Sequence, residues 1–266
     1  MNNVTCVIPG RVISFFTSIP YQSWDLIVKN EPEWILFKQF HAMYRFGPFA
    51  VFMLACGLNA YQLKGRAETG YFPSVRECLF QCRVPETPRD LITILLPLYE
   101  CERLPKGKCS RLFRFLQSPL AERIWSGSPA GIEQAFIPIW HELAVVMGQQ
   151  KERKTIVFAM KCLGIALLME HKVHFPFEEI PIPVDSRVRK VTAGLGGPDQ
   201  SDRAIQQYWH EIIGQVRKKD PTVTMIHLDS FLWQVAGYSG EERKEWFCRN
   251  GICFLRDSFE EIVSGV

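Results

Sequence analysis

The residues best suited to chemistry are a lysine and an aspartate set 31 positions apart. Lys154 opens the string KTIVFAMK directly after the polar run Gly148 to Arg153. A helix that starts there has unpaired backbone N–H groups and the positive end of its dipole in the first turn, which together make an anion site. A lysine in that field, with other cations nearby and Ile156, Val157 and Phe158 beside it, is expected to have a lowered pKa. An amine nucleophile requires that. Asp185 follows IPIPV and precedes Ser186-Arg187-Val188, where its carboxylate can cap the next helix. A lysine with a rigidly held carboxylate suits Schiff-base chemistry, in which the amine attacks an electrophilic sugar carbon while the carboxylate handles a proton and steadies positive charge. Spacing alone is equally met by a helix-end lysine and an N-cap aspartate without chemistry.

The elements that must hold these groups read as helices. Apolar residues recur with helical periodicity, and strand alternation is nearly absent. The pattern predicts helices over 31–45, 48–64, 73–83, 88–103, 110–126 with a break near Ser118-Pro119, 129–147, 154–170, 185–194, 202–218, 228–237 and 240–249, with a last turn near 254–263. Ser128-Pro129 marks a cap with a first-turn proline, and Ser239 with Glu242 reads as a capping box. Pro97 and Pro138 fall inside helical patterns and are expected to kink them. Gly148 to Arg153 reads as a short helix-to-helix turn, and the proline-rich strap Phe175 to Val184 as extended chain. The expected fold is all-α.

Composition narrows the class. In 266 residues, 47% are hydrophobic and 22% charged, with a net charge of +3, which excludes a disordered chain. The apolar stretch Phe46 to Leu58 falls short of the roughly 20 residues that a membrane span needs. The first twenty residues lack a basic start and Arg11 interrupts them, so the reading is a cytoplasmic, intracellular protein. Nine cysteines without a CxxC pair are expected to be mostly reduced and buried, and the scattered histidines offer no metal-ligand spacing. Three basic groups (Lys106, Lys108, Arg111, Arg114; Lys151, Arg153, Lys154, Lys161; and Arg187, Arg189, Lys190, Arg217, Lys218, Lys219) are interleaved with aromatics. Each alone reads as a solvated face; together they fit a phosphate-binding surface.

Helix, turn, helix and then an aliphatic-Pro-x-Asp strap resemble the helix-hairpin-helix superfamily of DNA glycosylases. KTIVFAMK with IPIPVDSRV resembles its archaeal 8-oxoguanine DNA glycosylase/AP lyase branch more narrowly, and AYQLKG (Ala60 to Gly65) and LDSFLWQVAG (Leu228 to Gly237) agree. The likeness runs from about Phe46 to the C-terminus. It implies Lys154 as the nucleophile that forms an imine with deoxyribose, and Asp185 as the aspartate that assists base departure. It implies Phe158 and Trp233 as the rings that sandwich the extruded base, Asp229 as the reader of its Watson–Crick edge, and Gln62 as a lining of the pocket. It implies double-stranded DNA with oxidised guanine as partner, no metal or organic cofactor, no membrane and a monomer. Cys248 and Cys253 do not supply the four-cysteine spacing of the superfamily's iron–sulfur cluster.

The implied architecture is two helical subdomains flanking a cleft. One comprises 26–65 plus 186–266, the other 66–185 with the hairpin turn at about 148–153; residues 1–25 are an unassigned extension. Spacing agrees with the roles: Phe158 lies four residues after Lys154, and Trp233 four after Asp229, each pair on one helix face. Each residue also has a plain structural account, the rings as core, Asp229 as a first-turn acid and Gln62 as a helix-end residue. Lys161, on the Lys154 face, is the rival nucleophile. The alternatives are a glycosylase of the same superfamily for another damaged base and a non-catalytic helical DNA-binding module. Two local features depart from the family: the 148–153 turn lacks the paired glycines of the usual hairpin, and RAETGYF follows AYQLKG.

Overall fold

The computed structural model describes residues 8–199 and 201–264. Among them every regular element is helical, as periodicity predicted. The chain forms two compact units, residues 32–176 and residues 1–31 with 177–266.

The second unit opens with α1 (Gly10–Thr17) and α2 (Tyr21–Lys29), the first two helices among the described residues. Both lie in the stretch left unassigned by sequence. They are short, follow Pro9 and Pro20, and have no capping side chain, so the usual start signals are missing. The unit 32–176 holds α3 (Pro32–Met43), α4 (Phe46–Asn59), a π-helical turn at Ala67–Tyr71, α5 (Phe72–Phe80), α6 (Asp90–Cys101) and α7 (Pro105–Leu116). It continues with α8 (Pro119–Trp125), α9 (Pro129–Gln134), α10 (Phe136–Met147) and α11 (Lys154–Met169). Every residue of α4 is buried, as expected of a helix apolar on all sides. It packs along α11, where Gly57 lets the backbones meet: a Cβ there would lie 2.7 Å from the Ala159 Cα. This contact holds residues 32–65 in the central unit, whereas the sequence reading grouped them with the C-terminal segment.

Local chemistry sets the helix ends. Ser118 and Ser128 accept hydrogen bonds from the Ala121 and Gly131 N–H groups at 3.3 and 3.2 Å. The stretch 129–147 divides at Ala135, and Pro138 sits in the first turn of α10, where its missing N–H costs nothing. Pro97 lies within α6. α4 ends at Asn59, five residues before the predicted end.

The remaining helices are α12 (Ser186–Gly194), α13 (Asp202–Lys219), α14 (Met225–Gly237), α15 (Gly240–Arg249) and α16 (Arg256–Ser264). α14 is the core of its unit and packs on α2 and α12. Its Phe231 ring meets Phe16 at 5.4 Å, Trp24 at 6.0 Å, Trp246 at 5.3 Å and Phe259 at 5.9 Å. The expected capping box at Ser239 does not form: its side chain makes no capping bond. Gly240, the first residue of α15, is in the left-handed region (φ 51°) and not in the helical conformation of an ordinary capped start.

The cysteine expectation holds only in part. Cys56 and Cys162 are buried, but Cys82 and Cys101 are exposed, and Cys248 and Cys253 are joined by a disulfide. The turn Asn250-Gly251, with Gly251 at φ 71°, brings these two ends together. Cys6 lies outside the described residues. No helix among the described residues is long and apolar enough to cross a membrane.

Candidate active site

In the 32–176 unit the chemistry-bearing residues lie on α11 and on the loop after α4. Arg153, in extended backbone, precedes α11 and provides no side-chain cap. Lys154 is therefore the first residue of a helix whose leading N–H groups have no serine, threonine or aspartate to bind. It is exposed. The desolvation expected around it is found seven residues on instead: Lys161 is 1% exposed, and its ammonium lies 5.8 Å from the Phe158 ring centre. Two turns of helix carry Lys161 into the packed core, while Lys154 remains at the end. Phe158 between them is half-buried.

The turn before α11 is held without paired glycines. Gly148 alone ends α10 in the left-handed region (φ 61°). The Trp140 indole N–H donates to the Lys151 carbonyl at 2.8 Å, and the Lys151 ammonium stands 4.5 Å from the centre of the same ring. Arg114 donates to the Met147 carbonyl at 3.0 Å, and the Thr155 hydroxyl to Gln149 Oε1 at 3.0 Å. These bonds fix the path of the turn into α11.

Gln62 is exposed on a turn, not at a helix end, and its backbone is in the left-handed region (φ 42°). A non-glycine residue held there stores strain, of the kind that collects at functional sites.

In the other unit Asp185 takes up its expected cap. Its Oδ1 accepts the Val188 N–H at 2.8 Å, which fixes the carboxylate at the start of α12. The strap before it is extended apart from a 3-10 turn at Phe177–Glu179. α14 begins at Met225, three residues earlier than predicted, because Thr224 and His227 form a capping box that sequence inspection overlooked. Asp229 thus sits in the second turn and is 3% exposed, so it is not a solvated first-turn acid. Trp233 lies one turn further and is half-buried. The Arg187 guanidinium is 4.1 Å from its ring centre and donates to its carbonyl at 3.3 Å. Gly237 makes room: a Cβ there would be 3.3 Å from Arg187 Nη1.

The structure thus joins Lys154, Phe158 and Lys161 along α11, and Asp229 and Trp233 along α14 with Arg187 against the indole. Sequence reasoning missed two contributions. Arg187, read in sequence as part of a basic cluster on a phosphate-binding surface, lies against the Trp233 indole. Lys108 was placed on a basic face, yet it is fully buried beside Glu102. Among the described residues no group of three His, Cys, Asp or Glu side chains is arranged to hold a metal ion.

A family model described as AGOG, N-glycosylase/DNA lyase, matches residues 13–261. The N-glycosylase/DNA lyase of Thermococcus kodakarensis is 26% identical over 211 residues, covering 75% of this chain and 73% of that protein. Those of Methanopyrus kandleri and Pyrobaculum aerophilum are 37% and 35% identical over 94 and 101 residues, 35% of this chain in each case. The match spans 34% and 37% of these two relatives, about a third of their length. In structure the chain resembles the Pyrobaculum aerophilum AGOG 8-oxoguanine DNA glycosylase, solved with 8-oxoguanosine. The TM-score is 0.65 at 21% identity, covering 85% of this chain and 86% of that one. With the family match extending over nearly the whole chain, this protein belongs to the AGOG family of N-glycosylase/DNA lyases.

Proposed function

We propose that the protein repairs DNA by excising 8-oxoguanine and then nicking the strand through a lysine imine. The observation that carries this reading is a pair of placements within one family match: an exposed lysine at the uncapped start of α11, and an aspartate locked by a backbone N–H at the start of α12.

The steps follow from the groups. A damaged nucleotide swung out of the duplex presents its sugar to Lys154, which is accessible before DNA arrives. DNA closing over the exposed amine excludes water from the reacting atoms. The amine attacks C1′ as the base leaves with the glycosidic electron pair, while the Asp185 carboxylate stabilises the positive charge developing on the sugar. Ring opening gives an imine between Lys154 and the sugar. Loss of a proton from C2′ then expels the 3′ phosphate by β-elimination, and hydrolysis of the imine frees the lysine.

Recognition uses the other residues. Guanine's edge presents N–H donors, and the buried Asp229 carboxylate is an acceptor with little competing water. Trp233, backed by Arg187, and Phe158, backed by Lys161, each offer an aromatic face on which a base can stack, and Gln62 adds an amide able to donate and accept. Oxidation turns one ring acceptor of guanine into a donor, and a mismatched buried partner costs about 1–3 kcal/mol.

The test is a duplex with 8-oxoguanine opposite cytosine, beside duplexes with guanine or an abasic site. The proposal expects free 8-oxoguanine and a nicked strand from the first, nicking of the abasic duplex, and no cleavage at guanine. Nicking of the abasic duplex with 8-oxoguanine left in place would contradict the substrate assignment. No cleavage of either would contradict the catalytic one.

A further inference from the structure

The loop carrying Gln62 is braced by more buried charge than packing requires. Lys108, on α7, is 0% exposed, and its ammonium donates to Glu102 Oε2 at 3.3 Å. That oxygen also accepts the backbone N–H of Lys64, inside the Gln62 loop, and that of Arg103, both at 3.2 Å. The ring of Tyr61, the neighbour of Gln62, has Lys108 Nζ at 5.3 Å and the Arg111 guanidinium at 5.2 Å. Gly107 clears space for it, since a Cβ there would stand 3.3 Å from the Tyr61 hydroxyl. Arg111 also donates to the Leu58 carbonyl at 3.1 Å, at the end of α4. Lys108 and Arg111 on one face of α7 therefore hold the near side of the turn at Leu58 and Tyr61, and Glu102, paired with Lys108, holds its far side at Lys64, with Gln62 between them at φ 42°.

Burial of the ammonium pushes the Lys108 pKa down, so the placement works against itself unless Glu102 compensates. Apolar residues of similar size would fill the same space at no such cost. What they cannot do is hold the Lys64 N–H and keep a strained backbone in one conformation.

We propose that Glu102 and Lys108 are positioning residues for base recognition, acting through the 60–66 loop to fix the Gln62 side chain. The inference rests on the base-excision reading above. It separates recognition from strand cleavage, because an abasic site offers no base for Gln62 to meet.

The experiment compares Glu102→Gln with the wild type in single-turnover excision of 8-oxoguanine and in nicking of abasic DNA, with Gln62→Ala and the double variant completing a cycle. Excision by Glu102→Gln is expected to fall about tenfold, the scale of one lost charged hydrogen bond. Abasic nicking is expected to stay unchanged, and the loss to vanish in the Gln62→Ala background. Where Glu102→Gln does not fold, Glu102→Gln with Lys108→Met removes the ion pair whole and carries the same expectation. Unchanged excision, parallel loss of both activities, or additive effects in the cycle would overturn the proposal. A wild type that nicks abasic DNA but leaves 8-oxoguanine intact fails the substrate reading alone. The clamp is then decided by hydrogen exchange at the Lys64 amide, which it requires to quicken in Glu102→Gln and which, unchanged, refutes it.

Discussion

Lys154 and Lys161 share a face of α11 yet have opposite surroundings, one exposed and one buried. Periodicity supplied the shared face; it contains nothing about how far along the helix the core begins. That boundary is set by α4, which packs against α11 and is distant in sequence. The same limit hid Arg187. Its neighbours in the chain mark it as a cation near a cap, whereas its partner Trp233 lies 46 residues away. A planar guanidinium on an indole face fixes the ring's tilt as well as its charge environment. Arg187→Met is therefore expected to raise KM for the 8-oxoguanine duplex by about threefold to thirtyfold, the range of a lost cation–π contact, with a smaller effect on kcat. Steady-state kinetics on that duplex check this, and an unchanged KM contradicts the stacking role.

The helices themselves were largely legible, because α3, α11, α13 and α15 have long apolar stripes or clear breakers. Their ends were less so. The start of α14 was missed because a histidine completes its capping box where Glu or Gln is the usual signal. His227 is buried, and burial pushes its pKa down to about 4. The Thr224 N–H donates to its Nδ1 at 3.0 Å, a bond that only the neutral ring can accept. Since the unfolded chain binds this proton more readily, the stability associated with the neutral ring is complete above pH 6.5 and is lost as pH falls from there toward 4. The slope over that window is about 1.4 kcal/mol per pH unit. Urea unfolding at pH 7 and pH 5 should show the loss, and His227→Asn should flatten it; equal slopes would refute the assignment. The α4–α11 contact gives a second test. Gly57→Ala is expected to destabilise by about 1–3 kcal/mol, since its methyl would overlap α11. Gly214→Ala, with open space around an exposed position in α13, should instead stabilise by about 0.5–1 kcal/mol. Both are read from thermal or urea midpoints.

Over the whole molecule, the net charge of +3 gives little hint of a DNA partner, because 28 acids nearly balance 31 basic residues. Several cations counted as surface are also committed elsewhere: Lys108 and Lys161 are buried, and Arg217 pairs with Glu178 at 3.2 Å. Function was legible instead in two short strings, KTIVFAMK and IPIPVDSRV, whose residues belong to different compact units. No local pattern links two such distant strings; the resemblance links them, and the proposed reaction rests on that link. The central claim is that Lys154 forms the covalent bond to DNA. Borohydride reduction of the protein with an 8-oxoguanine duplex, followed by peptide mapping of the gel-stable adduct, tests it directly. The account predicts a crosslink on Lys154 that disappears in Lys154→Gln and persists in Lys161→Gln. An adduct mapped to Lys161, or one that survives Lys154→Gln, would contradict it.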